Sequence, residues 1–338
     1  MLGSSLRRGL IVASLCLPLA GPAQAARSEF DVRTEGLERA QAAMVGVISE
    51  AVEDAGSIDM LGPVRVGSGV VIGNDGLVLT IGYLILEAER VDLIVDGERR
   101  VPARVVAYDQ ATGFGLLQAL TPLKVAPVPI GRSAGVSPDE PLMVASGVPD
   151  GGLSLARLVS QRAFSGYWEY HIDSALFTVP PRSDHSGAGL FNLDGELLGI
   201  GSLVVGDALG PGAGRLPGNM FVPVDLLKPV IAEMRARGAS RGSSRAWLGL
   251  NCEERGGEIR VLRVTQDGPA DLAGVRPGDR ILRIDDAEVS ALESLWKTLW
   301  RNGAERDVLL TIRRDGEVQT ITVHATDRMK TLRRPQGI

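Results

Sequence analysis

From Val64 to about Leu209 the apolar residues fall in short alternating runs, broken by turn signals at Asn74-Asp75-Gly76, Asp96-Gly97, Pro149-Asp150-Gly151-Gly152 and Asp194-Gly195. Alternation sends every second side chain to one face, so each run reads as a strand and each Asp-Gly pair as a hairpin turn. No helical period interrupts the stretch, which predicts a β-barrel or β-sandwich. Helices flank it. Leu37, Ala40, Met44, Val47 and Ile48 lie at helical spacing and predict a helix over 37–52, within an N-terminal helical segment 26–60. Residues 225–237, DLLKPVIAEMRAR, predict a helix that closes the domain (61–238), with Arg235 and Arg237 in its last turn and Gly238 as its stop.

The small, polar stretch 239–245 predicts a flexible linker. A compact α+β unit follows over 246–327. Its pattern reads as two strands, a short helix over 270–273, a turn at Arg276-Pro277-Gly278-Asp279 and a strand over 280–285. A helix over 292–300 and a hairpin turning at Asp315-Gly316 complete it. The basic tail, 328–338, reads as a frayed, solvated end.

Composition changes this picture at few points. Aromatic residues are only 4% of the chain, so the cores must be built from Val, Leu, Ile and Ala. Residues 1–25 combine Arg7 and Arg8, an apolar run from Leu10 to Ala20 and a small-residue site at Ala23-Gln24-Ala25, the pattern of a cleaved export signal. The apolar run is too short for a spanning helix, which needs roughly 20 residues, so an uncleaved anchor is the lesser alternative and no membrane span is expected after cleavage. Cleavage removes two positive charges and no acid, taking the net charge from −5 to −7, and nothing in that balance points to nucleic acid. Only Cys252 would remain, so no intrachain disulfide can form at the oxidising destination. No pattern calls for a cofactor or a metal.

The stretch 67–85, GSGVVIGNDGLVLTIGYLI, resembles the segment that carries the catalytic histidine in the HtrA/DegP family of trypsin-like serine proteases. That family writes L-T-N-x-H-V-V where this chain has Leu79-Thr80-Ile81-Gly82-Tyr83-Leu84-Ile85, so Tyr83 stands at the histidine position. The family's D-x-x-x-D-L-A-x-L falls on residues 109–117, which places Gly113 at the orienting aspartate. Its N-P-G-N-S-G-G-P-L falls on residues 182–190, which keeps Ser186 and Gly187 and puts Asp184 at the oxyanion-loop glycine. Phe221-Val222-Pro223-Val224 is similar to the run that closes the family's second barrel. The resemblance implies a mostly β chain: a trypsin-like double β-barrel followed by a small PDZ domain.

One triad position of three is therefore kept. A serine hydroxyl is a weak nucleophile until a neighbouring base takes its proton. A neutral tyrosine, with a pKa of about 10, cannot do so near pH 7. In a comparable triad enzyme the loss of the base alone costs about 10⁶ in kcat, or roughly 8 kcal/mol. A side chain at 184 also restricts the oxyanion loop, and its carboxylate opposes a developing oxyanion. Of the three histidines, His185 adjoins Ser186 but neighbouring side chains point apart, His171 reads as packed or surface, and His324 lies in the second unit. Ser186 reads as a retained turn residue.

Residues 267–285, DGPADLAGVRPGDRILRID, strongly resemble the family's PDZ signature. Trp247-Leu248-Gly249-Leu250 matches its carboxylate-binding loop, and Leu295 and Leu299 would line the peptide pocket or pack as ordinary core. An extended ligand would add as a strand beside residues 250–254. The resemblance implies an exported protein of envelope quality control whose partners are C-terminal or unfolded peptide segments, with assembly as a homotrimer or with an active relative. Two functions stay open: an inactive peptide-binding or modulating pseudoprotease, and a weak or rewired serine endopeptidase that uses Ser186.

Overall fold

A computed structural model describes residues 29–333 apart from residues 139 and 150; the expected export signal and residues 334–338 lie outside the described residues. Strands β1 (Met44–Ala51), β2 (Val64–Val71), β3 (Leu77–Ile81), β4 (Ala88–Val95), β5 (Arg99–Tyr108) and β6 (Phe114–Ala119) close into one antiparallel barrel, in the order β1-β2-β3-β6-β5-β4. A second barrel comprises β7 (Pro141–Ala145), β8 (Leu153–Ser165), β9 (His171–Val179), β10 (Gly189–Phe191), β11 (Leu197–Val205) and β12 (Gly218–Pro223). Closure removes every free edge. One core cluster runs through both barrels: Val45, Leu79, Leu93, Phe114 and Leu116 lie in the first barrel's part, and Phe177 and Phe191 in the second barrel's.

The hairpin at Asn74-Asp75-Gly76 forms as its sequence predicts, with Val71 opposite Val78 and Gly76 at φ 81°. The expected helix over 37–52 is corrected. The helix is Glu29–Ala42, and Met44–Ala51 is a strand hydrogen-bonded to both β2 and β4. Val45 and Val47 point into the barrel, so burial on two partners outweighs a helical spacing that Gly46 and the β-branched residues favoured little. The closing helix is shorter than expected, Ile231–Arg237, after a turn through Val224–Leu226. Pro229 lacks the amide that would join the two.

The third sheet runs β13 (Ala246–Trp247), β19 (Glu317–Asp327), β18 (Arg306–Arg314), β16 (Arg280–Ile284), β15 (Glu258–Val264) and β14 (Leu250–Arg255), with β17 (Ala287–Glu288) beside β16. The helix Leu292–Trp300 packs on it through Leu292, Leu295, Trp296 and Leu299. No helix among the described residues is long and apolar enough to cross a membrane.

Two connections expected to be loose are tied down. Within the linker, Ser240 and Ser243 are buried and donate to the Asp109 carboxylate, from Ser240 N at 2.9 Å and Ser243 Oγ at 2.5 Å. Small serines suit this because they fit against the barrel and supply donors. The tail starts as a helical turn, Arg328–Thr331, capped by Asp327. The Arg333 amide then donates to Glu87 Oε1 at 2.7 Å. Composition identified both stretches as polar but could not show where their partners lay.

Candidate functional site

Strand β3 ends in a tight turn, Gly82–Leu84, that presents Tyr83. The buried Arg65 guanidinium holds this turn by donating to the carbonyls of Tyr83 (3.1 Å) and Leu86 (2.5 Å) and to Ser57 Oγ (2.7 Å). The Tyr83 phenol crosses to the second barrel. Its Oη lies 2.8 Å from Ser186 Oγ and 2.8 Å from the Ser202 carbonyl. A phenol has one proton, and a carbonyl can only accept. Whenever that proton goes to Ser202, the Ser186 hydroxyl must donate to the phenol oxygen. Burial pushes the phenol up to about 12, with the Ser186 hydrogen bond opposing, so it is neutral at physiological pH.

Ser186 sits on the turn before β10. The Ser68 amide of β2 donates to its carbonyl at 2.8 Å, which docks the turn on the first barrel. Gly187 follows at φ 75°, where a Cβ would collide with the Ser68 carbonyl oxygen, so glycine is required there. His185 turns elsewhere: its Nδ1 faces the carbonyls of Arg182 (3.2 Å) and Ser183 (3.1 Å), and burial lowers its pKa. Asp184 is clamped by Arg182, with Nε–Oδ1 at 2.9 Å and Nη2–Oδ2 at 2.5 Å. Burial raises its pKa, but the Arg182, Ser146 and own-amide hydrogen bonds outweigh that and hold the carboxyl below its usual range. The loop thus carries its own anion, and that anion takes the 184 amide.

Gly113 stands at φ 83° with its carbonyl accepting from Gly82 N at 2.7 Å, so it lies directly beneath the turn that carries Tyr83. A Cβ on Gly113 would meet Tyr170 Oη at 3.0 Å. The Tyr170 hydroxyl donates to the Thr112 carbonyl at 2.7 Å, so a phenol covers this position. Asp109, four residues earlier, is fully committed. Burial raises its pKa, and bonds from Ser240, Ser243 and Thr112 outweigh that and lower it. It is a structural carboxylate that joins barrel to linker and offers nothing to position 83.

The structure therefore brings Tyr83, Ser186, Gly113 and Asp184 to one cleft between the barrels. The side chain bonded to the Ser186 hydroxyl is a neutral phenol. Such a contact fixes the hydroxyl without drawing off its proton. His171 is buried at the start of β9, bonded to Ser165 Oγ at 2.8 Å and Asp173 at 3.2 Å. With Asp173 and Glu293 it forms a cluster of metal-ligand types among the described residues. The Lys297 ammonium lies 2.7 Å from each of those carboxylates, so a cation already stands between them.

In the third sheet the amides of Leu248, Gly249 and Leu250 converge on one point. That point is the side chain of Glu169, from the tip of the β8–β9 hairpin. Trp247 lies beneath the Arg328 guanidinium, 4.4 Å from its ring centre. Leu295 and Leu299 are fully buried, in the hydrophobic cluster of the third sheet. Glu169 was invisible to sequence reasoning, because a lone acid in an aromatic turn carries no motif. The one signal in its neighbourhood was Tyr167-Trp168-Tyr170, a concentration of aromatics in a chain that has few.

The trypsin-like peptidase domain family matches residues 67–200 and the PDZ domain family matches residues 246–325. A probable periplasmic serine endoprotease DegP-like of Marinomonas sp. is 28% identical over 76% of this chain and 56% of its own length. The serine endoprotease DegS of Haemophilus influenzae is 27% identical over 78% of each chain. This chain spans about half the length of the DegP-like relatives. Among solved structures, the HtrA-type protease AlgW with decapeptide superposes with a TM-score of 0.52 at 18% identity, over 88% of this chain and 98% of AlgW. The serine endoprotease from Yersinia pestis gives 0.52 at 21% identity, over 87% and 97%. Two consecutive barrels, a PDZ sheet after them and these matches together place the chain in the HtrA/DegP family of trypsin-like serine proteases with a PDZ domain.

Proposed function

We propose that this chain is a pseudoprotease of its family, exported to the bacterial envelope, where it binds C-terminal or unfolded peptide segments through its PDZ domain or modulates an active relative. The observation that carries the reading is the pairing of Ser186 with the neutral phenol of Tyr83 over a Gly113 that has no side chain. Among the described residues, no group at the cleft is placed to accept the serine proton at neutral pH. The Asp184 carboxylate, buttressed by Arg182, adds a fixed negative charge beside the place where an oxyanion would form.

Export is supported by the expected signal and by relatives named as periplasmic. Peptide binding is supported by the three convergent amides of residues 248–250 and by the peptides in the AlgW structures. Assembly as a homotrimer or with an active relative belongs to the same proposal, and so do the outer limits of the domains and the roles given to the cleft residues. The test is turnover of an unfolded protein by the wild type and by Ser186→Ala. Equal background rates are expected. Turnover that depends on Ser186 would favour the rewired-endopeptidase reading instead.

A further inference from the structure

The segment 166–170 joins β8 to β9 as a closed turn, with Gly166 N donating to the Tyr170 carbonyl at 2.9 Å. Its outer edge lies along β14 of the PDZ sheet. Cys252 N donates to the Tyr167 carbonyl at 2.6 Å, and Trp168 forms an antiparallel bridge with Asn251. Glu169 follows at the end of the strand. Its Oε1 accepts from Leu248 N (3.0 Å), Gly249 N (2.8 Å) and Leu250 N (3.0 Å), and its Oε2 lies 3.2 Å from Leu248 N. Trp296 Nε1 of the groove helix donates to the Gly166 carbonyl at 3.1 Å. The segment thus runs antiparallel to β14 and ends with a carboxylate in the amide loop, which is the geometry of a bound chain end.

We infer that Glu169 is a built-in ligand of the PDZ carboxylate loop, and that an external peptide with a free C-terminus binds this protein only by displacing it. This inference rests on the peptide-binding reading of the PDZ domain, and adds that the groove is already filled. Glu169 is buried, and so are Leu248 and Leu250, so the loop has no room for a second carboxylate. An internal ligand competes at an effective concentration in the millimolar range. Only peptides of good intrinsic affinity, or partners that also pull the β8–β9 tip away, would gain the groove. The chain continues through Tyr170, whose ring stacks on Trp168 with centroids 5.7 Å apart. Departure of Glu169 therefore moves an aromatic unit and not one side chain alone.

The test pairs backbone hydrogen exchange with peptide titration on the full-length protein. The probes are a fluorescein-labelled decapeptide ending in leucine with a free C-terminus and its amidated twin. In the wild type without peptide, the amides of residues 248–250 are expected to be protected. Glu169→Ala is expected to lose that protection and to bind the free-ended peptide about tenfold more tightly, with no gain for the amidated one. Glu169→Gln retains an accepting oxygen and is expected to keep most of the protection, which serves as the control for folding. Fast exchange of these amides in the wild type would overturn the inference, as would equal protection in wild type and Glu169→Ala. Equal, amidation-sensitive binding by both proteins would also overturn it while leaving the peptide-binding reading intact. Protection that depends on Glu169, with no peptide bound by either protein, would uphold the inference and defeat the peptide-binding reading.

Discussion

Tyr83 and Ser186 share a hydrogen bond of 2.8 Å across the cleft between the barrels, where a base and its nucleophile would otherwise face each other. The phenol also reaches the Ser202 carbonyl. One side chain thereby closes both a serine and a backbone acceptor. Tyr83→Phe leaves that carbonyl and the hydroxyl without this partner. A lost bond to a partly buried group costs about 1–3 kcal/mol. In denaturant unfolding the variant is expected to be less stable than the wild type by an amount in that range, whereas Ser186→Ala, which leaves the phenol bonded to Ser202, should cost less than about 1 kcal/mol. Equal loss in both variants would show that the phenol does not hold the interface.

Restoring the missing carboxylate is not a simple replacement. Gly113 has φ 83°, and Tyr170 Oη would lie 3.0 Å from its Cβ. A non-glycine residue in strained backbone costs on the order of 1–3 kcal/mol. Gly113→Asp is expected to destabilise the protein by that amount in denaturant unfolding. Combined with Tyr83→His it should yield no measurable turnover of an unfolded substrate, because Tyr170 covers the site and Asp184 keeps its charge at the oxyanion loop.

The fold was legible because its signals are local. Asp-Gly turns set the hairpins, alternation set the strands, and residues 267–285 carried the second unit. At the cleft, what the sequence offered was the identity of the residues at each position. That was enough to expect that a base is missing. The contacts found in its place join residues far apart in the chain: Tyr83 to Ser202 and Tyr170 to Thr112. Periodicity is blind to such pairs. The same limit hid β1, whose apolar spacing suited a helix until two neighbouring strands claimed it. It also hid Glu169, whose partners are three backbone amides some 80 positions away.

Asp109 should act as the tie between the first barrel and the linker. Its carboxylate accepts from Thr112, Ser240 and Ser243 inside the protein, so Asp109→Ala leaves several buried donors unpaired. A loss of about 3 kcal/mol is expected in urea unfolding. The sign of the pH effect follows from a folded pKa held below the usual 3.8. The ionised form is favoured by folding, so the full contribution is present above that value and is lost as the pH falls through the lower, folded one. Wild type should therefore lose stability in acid more steeply than Asp109→Ala. Parallel acid curves would contradict the tie.

Glu169 should respond to pH in the opposite sense. Burial pushes its carboxyl up from 4.5 to about 7, against the bonds from Leu250, Leu248 and Gly249 and the nearby Arg328; the Cys252 thiol is the other titratable group that faces it. The three amides converge on Oε1, whereas Oε2 has only the longer 3.2 Å contact from Leu248 N and is the oxygen that would carry a proton. A docked pKa above the free value means that docking takes up a proton, so docking is strongest below about 4.5 and weakens as pH rises through about 7. Exchange at the amides of residues 248–250, corrected for intrinsic rates, should therefore quicken between pH 5 and about 8 in the wild type. In Glu169→Gln the corrected rates should stay flat.

The most direct measurement of the central claim is covalent labelling of Ser186 by a fluorophosphonate, followed by mass spectrometry of the purified protein between pH 6 and about 9. The account predicts no adduct on Ser186 beyond the level seen on ordinary surface serines, with no rise across that range, because Tyr83 stays protonated until about 12. Rapid, stoichiometric labelling of Ser186 that is absent in Ser186→Ala would contradict it.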